Sequence, residues 1–285
     1  MIYITHGVVP GWRPERISHA LFNPEWLFAL HLQNRLQKYV SLAEALAGEG
    51  DALTIDDATY GGLRAALLAA KWGHAVSWFV NGLNVAEGLR YFPFQFSRMI
   101  DDTQRSDCEF KGRQWSLRSS MDRRAFRQLL KDQYMRMSTQ GQIQDVLGQI
   151  SSCLEVDSDS LERALRTVSS QELRVACAAG VELQNHGWSH LSPSSLTGTE
   201  LAMEAALNEE YLSQFRQSDI RVYAPPFGRQ VSFKSTVSDF VLLADRSLPS
   251  SGRVENVVNR ADLRLNQFAI SRPVHQIHSS LLPAG

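Results

Sequence analysis

The sequence predicts an α/β chain built on a parallel sheet or barrel. Short apolar runs alternate with segments of helical spacing, and the clearest runs stop at polar residues before a turn. The sharpest case is the run at 52–55, which ends at two adjacent carboxylates, Asp56 and Asp57. A second run, Val181-Glu182-Leu183, leads into Asn185-His186-Gly187-Trp188-Ser189-His190. Buried strands with polar C-terminal tips read this way.

In chain order, residues 2–5 read as a first strand ending at His6-Gly7. Asn23-Pro24-Glu25 reads as a helix start, with Asn as cap and Pro and an acid in the first turn, and the helix is expected to reach about Tyr39. Ser41 and Glu44 form a capping box for a short helix. After the double aspartate, Gly61 and Gly62 mark a turn into a helix over 63–72, and a strand is expected at 75–80. Phe92, Phe94 and Phe96 read as core in preference to a groove wall. Residues 104–120 read as a loop or small hairpin, and 122–150 as helices with Phe126, Leu129, Leu130 and Tyr134 at helical spacing. Arg118, Arg123, Arg124 and Arg127 read as a solvated helix face. Capping boxes at Ser169/Glu172 and Thr197/Glu200 open two further helices, and strands are expected at 221–223, 240–244 and 274–277. With no repeat or linker, residues 1–285 are read as one domain with an insertion of mainly helical character at about 92–168.

Bulk properties narrow the function. A chain of 285 residues, 44% hydrophobic and 21% charged, is a globular protein able to bury a large core. A net charge of -1 gives no basic face for nucleic acid. Three cysteines without metal-type spacing argue against a disulfide framework or a Cys-based zinc site. The start of the chain does not read as a signal peptide and no stretch reaches the length of a membrane span, so the cytoplasm is the expected location.

Two like charges at a buried strand tip repel, so Asp56 and Asp57 call for a cation or a shared proton. The plain alternative is that one caps the next helix and the other is solvated. His186 and His190 are four apart, as on zinc-binding helices, but Gly187 and the preceding strand place them on a loop or first helical turn. The residues between them lack the glutamate of an HExxH metalloprotease. Two imidazoles and one carboxylate make a borderline-hard set suited to zinc; two surface histidines on a loop are the alternative.

Thr54-Ile55-Asp56-Asp57, His186-Gly187-Trp188-Ser189-His190 and Ala224-Pro225-Pro226-Phe227-Gly228, in that order and each at a strand end, resemble the motifs of the polysaccharide deacetylases, the NodB-homology or carbohydrate esterase family four group. Supporting segments are similar too: His6-Gly7-Val8, the run 75–80, and Ala179-Gly180-Val181-Glu182. The resemblance covers roughly 1–90 and 169–245. It implies a distorted (β/α) barrel, usually seven-stranded, with the site at the C-terminal strand ends. It also implies that Asp57, His186 and His190 hold a divalent metal, most simply zinc, and that Asp56 takes a proton from the attacking water. The oxyanion is then expected to meet a backbone N–H near Ala58 or Tyr60, and a late histidine to protonate the leaving amine.

This chain departs from the family pattern in three places. Ala58 stands where Gly is usual. Ala224 stands where many members carry the Arg that orients the base, and Arg260 is the candidate substitute. The final Leu-x-His motif is approximated only by Gln276-Ile277-His278, so His278 is the candidate acid with His275 as rival. His6 lines the pocket or is a satisfied structural histidine. Tyr60, Pro226, Phe227 and Trp188 are candidates for contact with a sugar, Trp188 being equally readable as core. The expected function is hydrolysis of an N-acyl group, most simply acetyl, from an amino sugar during surface-polysaccharide biosynthesis. A non-sugar amide hydrolase and a sugar- or protein-binding barrel without activity are the alternatives.

Overall fold

The computed structural model describes residues 1–157, 162–215, 218, 220–228, 238–244, 253–254, 257–263 and 265. Its strands and helices alternate: β1 (Ile2–Thr5), β2 (Val8–Val9), β3 (Asn23–Pro24), α1 (Glu25–Asn34), α2 (Leu42–Ala47), β4 (Ala52–Asp56), α3 (Tyr60–Lys71), β5 (Ser77–Val80) and α4 (Gly82–Ala86). The middle of the chain holds α5 (Phe92–Asp102), the hairpin β6 (Asp107–Phe110) and β7 (Arg113–Ser116), α6 (Ser120–Tyr134) and α7 (Gln140–Leu154). The barrel pattern then resumes with α8 (Ser170–Ala178), β8 (Glu182–Asn185), α9 (Gly198–Ser213), β9 (Val222–Tyr223), β10 (Phe240–Leu243), β11 (Arg253–Val254), β12 (Val257–Asn259) and β13 (Ala261–Asp262).

The main sheet runs β11-β12-β10-β9-β8-β5-β4-β1-β13, and every pairing in it except β11–β12 is parallel. It is nearly closed as a barrel. Among the described residues parallel strands number eight where the family pattern leads one to expect seven, because the last described leg is split at Arg260. On one side of the split, β12 pairs with β10; on the other, β13 pairs with β1. The Arg260 N–H donates to the Leu243 carbonyl and the Leu263 N–H to that of Ile4, so this leg ties the two ends of the sheet together.

Alternation along β4 decides what the barrel encloses. Successive side chains on a strand point to opposite faces. Leu53 and Ile55 join the apolar cluster shared with Leu63, Ala66 and Trp78, between sheet and helices. Ala52 lies in a separate cluster with Phe79, Val222 and Leu242. Thr54 and Asp56 share the face of Ala52 and meet Arg260 there. A third apolar cluster, with Phe92, Phe96, Phe126, Leu130 and Ile150, is built from the segment that carries no family motif.

Several local readings change. Asn23 and Pro24 form a short strand on β2, and α1 begins only at Glu25 without a side-chain cap. The Asn23 amide instead donates to Thr5 Oγ1 and the Leu263 carbonyl. This helix ends at Asn34, well short of Tyr39, whose N–H donates to His74 Nδ1. Thr59 caps α3, so the helix starts at Tyr60 and contains Gly61 and Gly62. The reason is close approach: a Cβ at Gly7, where φ is +124°, would fall 2.4 Å from the Gly61 carbonyl carbon. Arg123 and Arg127 are not a solvated face. Arg123 bonds the carbonyls of Leu117 and Ile100, and Arg127 Nε donates to Ser97 Oγ at 2.8 Å, tying α6 to α5. The strand expected at 274–277 lies outside the described residues.

Candidate active site

At the tip of β4 the two aspartates take different partners. Asp56 is gripped in a fork by Arg260, with Nη1 to Oδ1 at 2.7 Å and Nη2 to Oδ2 at 2.8 Å. The guanidinium, fully buried, also reaches Thr54 Oγ1 at 3.2 Å and lies over the Phe79 ring. Burial pushes the Asp56 carboxyl up, but Arg260, then His186 and His6, outweigh it and hold it below the usual carboxylate range. After Asp56 the chain turns sharply: Asp57 has φ 66°, and its carbonyl accepts from Trp78 Nε1 at 2.8 Å. This turn swings the second carboxylate across to the histidines.

Both histidines are fixed through Nδ1. His186 Nδ1 lies 2.7 Å from the Ala224 carbonyl, which can only accept, so in the neutral ring Nε2 is left with its lone pair. Tyr134 Oη donates to the His190 carbonyl at 2.7 Å and is free to accept from His190 Nδ1 at 3.1 Å. The two Nε2 atoms therefore converge on Asp57 Oδ1, at 3.4 Å from His186 and 3.0 Å from His190. That oxygen is buried and makes no hydrogen bond, so with both rings neutral and protonated at Nδ1 three lone pairs face one another. The three ligand atoms lie within 4.8 Å of one another, as donors around a single cation would. The triad fits a divalent metal. Burial opposes charge on His186, but Asp56 and then Asp57 outweigh it and pull the imidazole above its ordinary value. Burial of Asp57 is likewise overcome, by His190 and then His186, which hold its carboxyl far below the usual range.

A buried polar bridge locks the two loops together. The Ala58 N–H donates to Tyr91 Oη at 2.6 Å, and that hydroxyl donates to Asn81 Oδ1 at 2.9 Å. Asn81 Nδ2 then donates to the carbonyls of His186 and Gly187, at 2.6 and 3.1 Å. On the outer side, Glu204 accepts from the backbone and hydroxyl of Ser189, both at 2.8 Å. Three of the five described non-glycine residues with positive φ are Asp57, His190 and Phe227, so backbone strain gathers at this site. Reasoning from sequence missed Tyr91, Asn81 and Tyr134.

The other candidates divide. Phe227 packs on His190, with ring centroids 5.2 Å apart, and Pro226 is buried beside Gly187. His6 stands half-buried with Nε2 4.0 Å from Asp57 Oδ2. Trp188 is half-buried, its ring edge-on to Tyr211 of α9 at 5.7 Å and against Gly82. The half-buried Tyr60 ring meets the guanidiniums of Arg163 and Arg166, at 4.6 and 4.4 Å. The expected oxyanion donors are also committed, since the Ala58 N–H binds Tyr91 and the Tyr60 N–H binds the Arg166 carbonyl. His275 and His278 lie outside the described residues.

Parallel α/β barrels do their chemistry at the C-terminal ends of the strands, and the groups gathered there are those of a hydrolase. The chain belongs to the polysaccharide deacetylase family, whose profile matches residues 52–239. That stretch takes in Asp56, Asp57, His186 and His190 but not His6 or Arg260. Among solved structures, the Streptococcus pyogenes deacetylase PplD in complex with acetate is 12% identical, with a TM-score of 0.56 over 99% of this chain and 97% of that one. IcaB from Ammonifex degensii is 14% identical, with a TM-score of 0.48 over 95% of each chain. No curated protein sequence matches the chain. No helix among the described residues is long and apolar enough to cross a membrane.

Proposed function

We propose that the protein removes an N-acetyl group from an amino sugar by metal-assisted hydrolysis, with zinc as the metal. The observation that carries this reading is the convergence of Asp57 Oδ1 and the two imidazole Nε2 atoms beside a second carboxylate held by its own guanidinium. Asp57, His186 and His190 would hold the cation, which supplies Lewis acidity toward the amide carbonyl and brings a water's pKa down toward ~7. Asp56 stays ionised because Arg260 grips both its oxygens, and the same grip aims it. A carboxylate held this low is a weak base, so it suits abstraction from an acidified water and not from bulk water. A late histidine, His278 or its rival His275, is the proposed proton donor to the leaving amine, and His6, with Nε2 4.0 Å from Asp57 Oδ2, lines the pocket. Phe227 walls the site next to His190.

Membership in the family supports a carbohydrate substrate. A role in surface-polysaccharide biosynthesis and a cytoplasmic location are part of the proposal, the latter tested by fractionation of the native protein. The first test is zinc content and affinity of wild type beside Asp57→Ala and His186→Ala, followed by acetate release from N-acetylated amino-sugar oligomers. One tightly held equivalent, lost in both variants, together with acetate release, is the expected result. Binding indifferent to both substitutions would remove the reading.

A further inference from the structure

We propose that Tyr134 is a positioning residue for the cation, and that through it the 92–168 insertion governs how tightly the barrel holds zinc. This rests on the metal-assisted reading above. The two histidines are secured unequally. His186 gives its Nδ1 proton to a backbone carbonyl of the barrel, that of Ala224. His190 has its Nδ1 partner in a side chain of the insertion, the Tyr134 hydroxyl at the end of α6. That hydroxyl acts twice on one residue. It donates to the His190 carbonyl at 2.7 Å, which steadies a backbone held at φ 57°, and accepts from Nδ1 at 3.1 Å.

The phenol has little freedom of its own. Its ring stacks on Phe92 of α5, with centroids 4.9 Å apart at 20°, and meets the edge of Phe227 at 5.5 Å. Phe92 belongs to the apolar cluster of the insertion and Phe227 packs against that cluster, so these two rings fix where the hydroxyl sits. Without the hydroxyl, the His190 carbonyl and Nδ1–H both lose their partner. The ring can then take the other tautomer and aim an N–H, not a lone pair, at the place the cation occupies.

The test uses zinc itself. Zinc affinity is measured by chelator competition on zinc-free wild type, Tyr134→Phe and Phe126→Leu, with imidazole nitrogen NMR reporting the tautomer of each histidine. Tyr134→Phe keeps the ring packing; the expected result is zinc binding about 10- to 100-fold weaker, with His190 no longer purely the Nδ1–H form. Phe126, fully buried in the same cluster with its ring against Phe110 and Trp115, is the control: Phe126→Leu lowers the melting temperature and leaves zinc affinity where it was. Unchanged affinity in Tyr134→Phe overturns the proposal, as does equal weakening by Phe126→Leu. An Nε2–H tautomer of His190 in zinc-free wild type overturns it without any variant. Wild type that takes up no zinc removes the functional reading as well, whereas wild type that binds while Tyr134→Phe binds equally removes this inference alone.

Discussion

The aspartate side and the histidine side of the site are held by different forces. Asp56 is secured by a full charge, the buried Arg260 fork. His186 and His190 are secured by neutral acceptors, a carbonyl and a phenol. On the roles proposed above, the difference follows from what each group has to do. A base must stay ionised in a buried place, which takes an opposite charge. A ligand must present a lone pair, which takes a proton acceptor on its far nitrogen and no added charge. One side is tuned by electrostatics and the other by tautomer.

Substitutions that respect this division should break one side at a time. The largest effect is expected from Asp56→Asn, which should lower kcat by about 10²- to 10⁴-fold while zinc stays bound. Loss of zinc in that variant would mean that the two aspartates have exchanged roles. Next comes Arg260→Met, which strands a buried carboxylate and should destabilise the fold by about 3–5 kcal/mol. With the guanidinium gone, burial pushes Asp56 up, so the acid limb of kcat/KM should move to higher pH; a limb that stays put would detach Arg260 from the base. Tyr91→Phe takes away both the acceptor for the Ala58 N–H and the donor to Asn81, and chemical denaturation should show a loss of about 1–3 kcal/mol.

The smallest effect is one of pH on zinc-free protein. His186 is pulled above its ordinary value of 6.5 by the aspartates, so its proton stabilises the fold fully below that pH. This contribution should fade as pH rises through the higher folded value. Added zinc, taking the place of the proton, should flatten the upper part of the stability profile. A profile indifferent to zinc would argue that proton and cation do not share the site.

The parts legible in the sequence are those whose signal is local. Asp56 and Asp57 end an apolar run, and His186 and His190 follow another, because a barrel shows its chemistry at strand ends. Arg260 was legible only through the Arg missing at 224, a gap that had to be filled from somewhere. Tyr134 was not legible: at helical spacing with Phe126 and Leu130 it has the pattern of any core residue, and its partner is 56 residues away. Tyr91 and Asn81 are hidden for the same reason, being single polar groups whose meaning lies in backbone atoms of another loop. The misplaced start of α1 shows the reverse error. Asn23-Pro24 carries a strong local helix signal, but the Asn amide is drawn away to Thr5 and the Leu263 carbonyl, and strand pairing wins.

The split at Arg260 has a consequence for how the protein comes into being. Asp56 and the guanidinium that keeps it charged are 204 residues apart in the chain. At ribosomal speeds of 5–20 residues per second, roughly 10–40 s pass between their synthesis. Throughout that interval the nascent chain carries its paired carboxylates with no guanidinium to settle them and no last leg across the sheet. A truncated or stalled chain ending before Arg260 would lack both at once. The Asp56 carboxylate and the guanidinium that keeps it charged thus meet only once Arg260 has been translated.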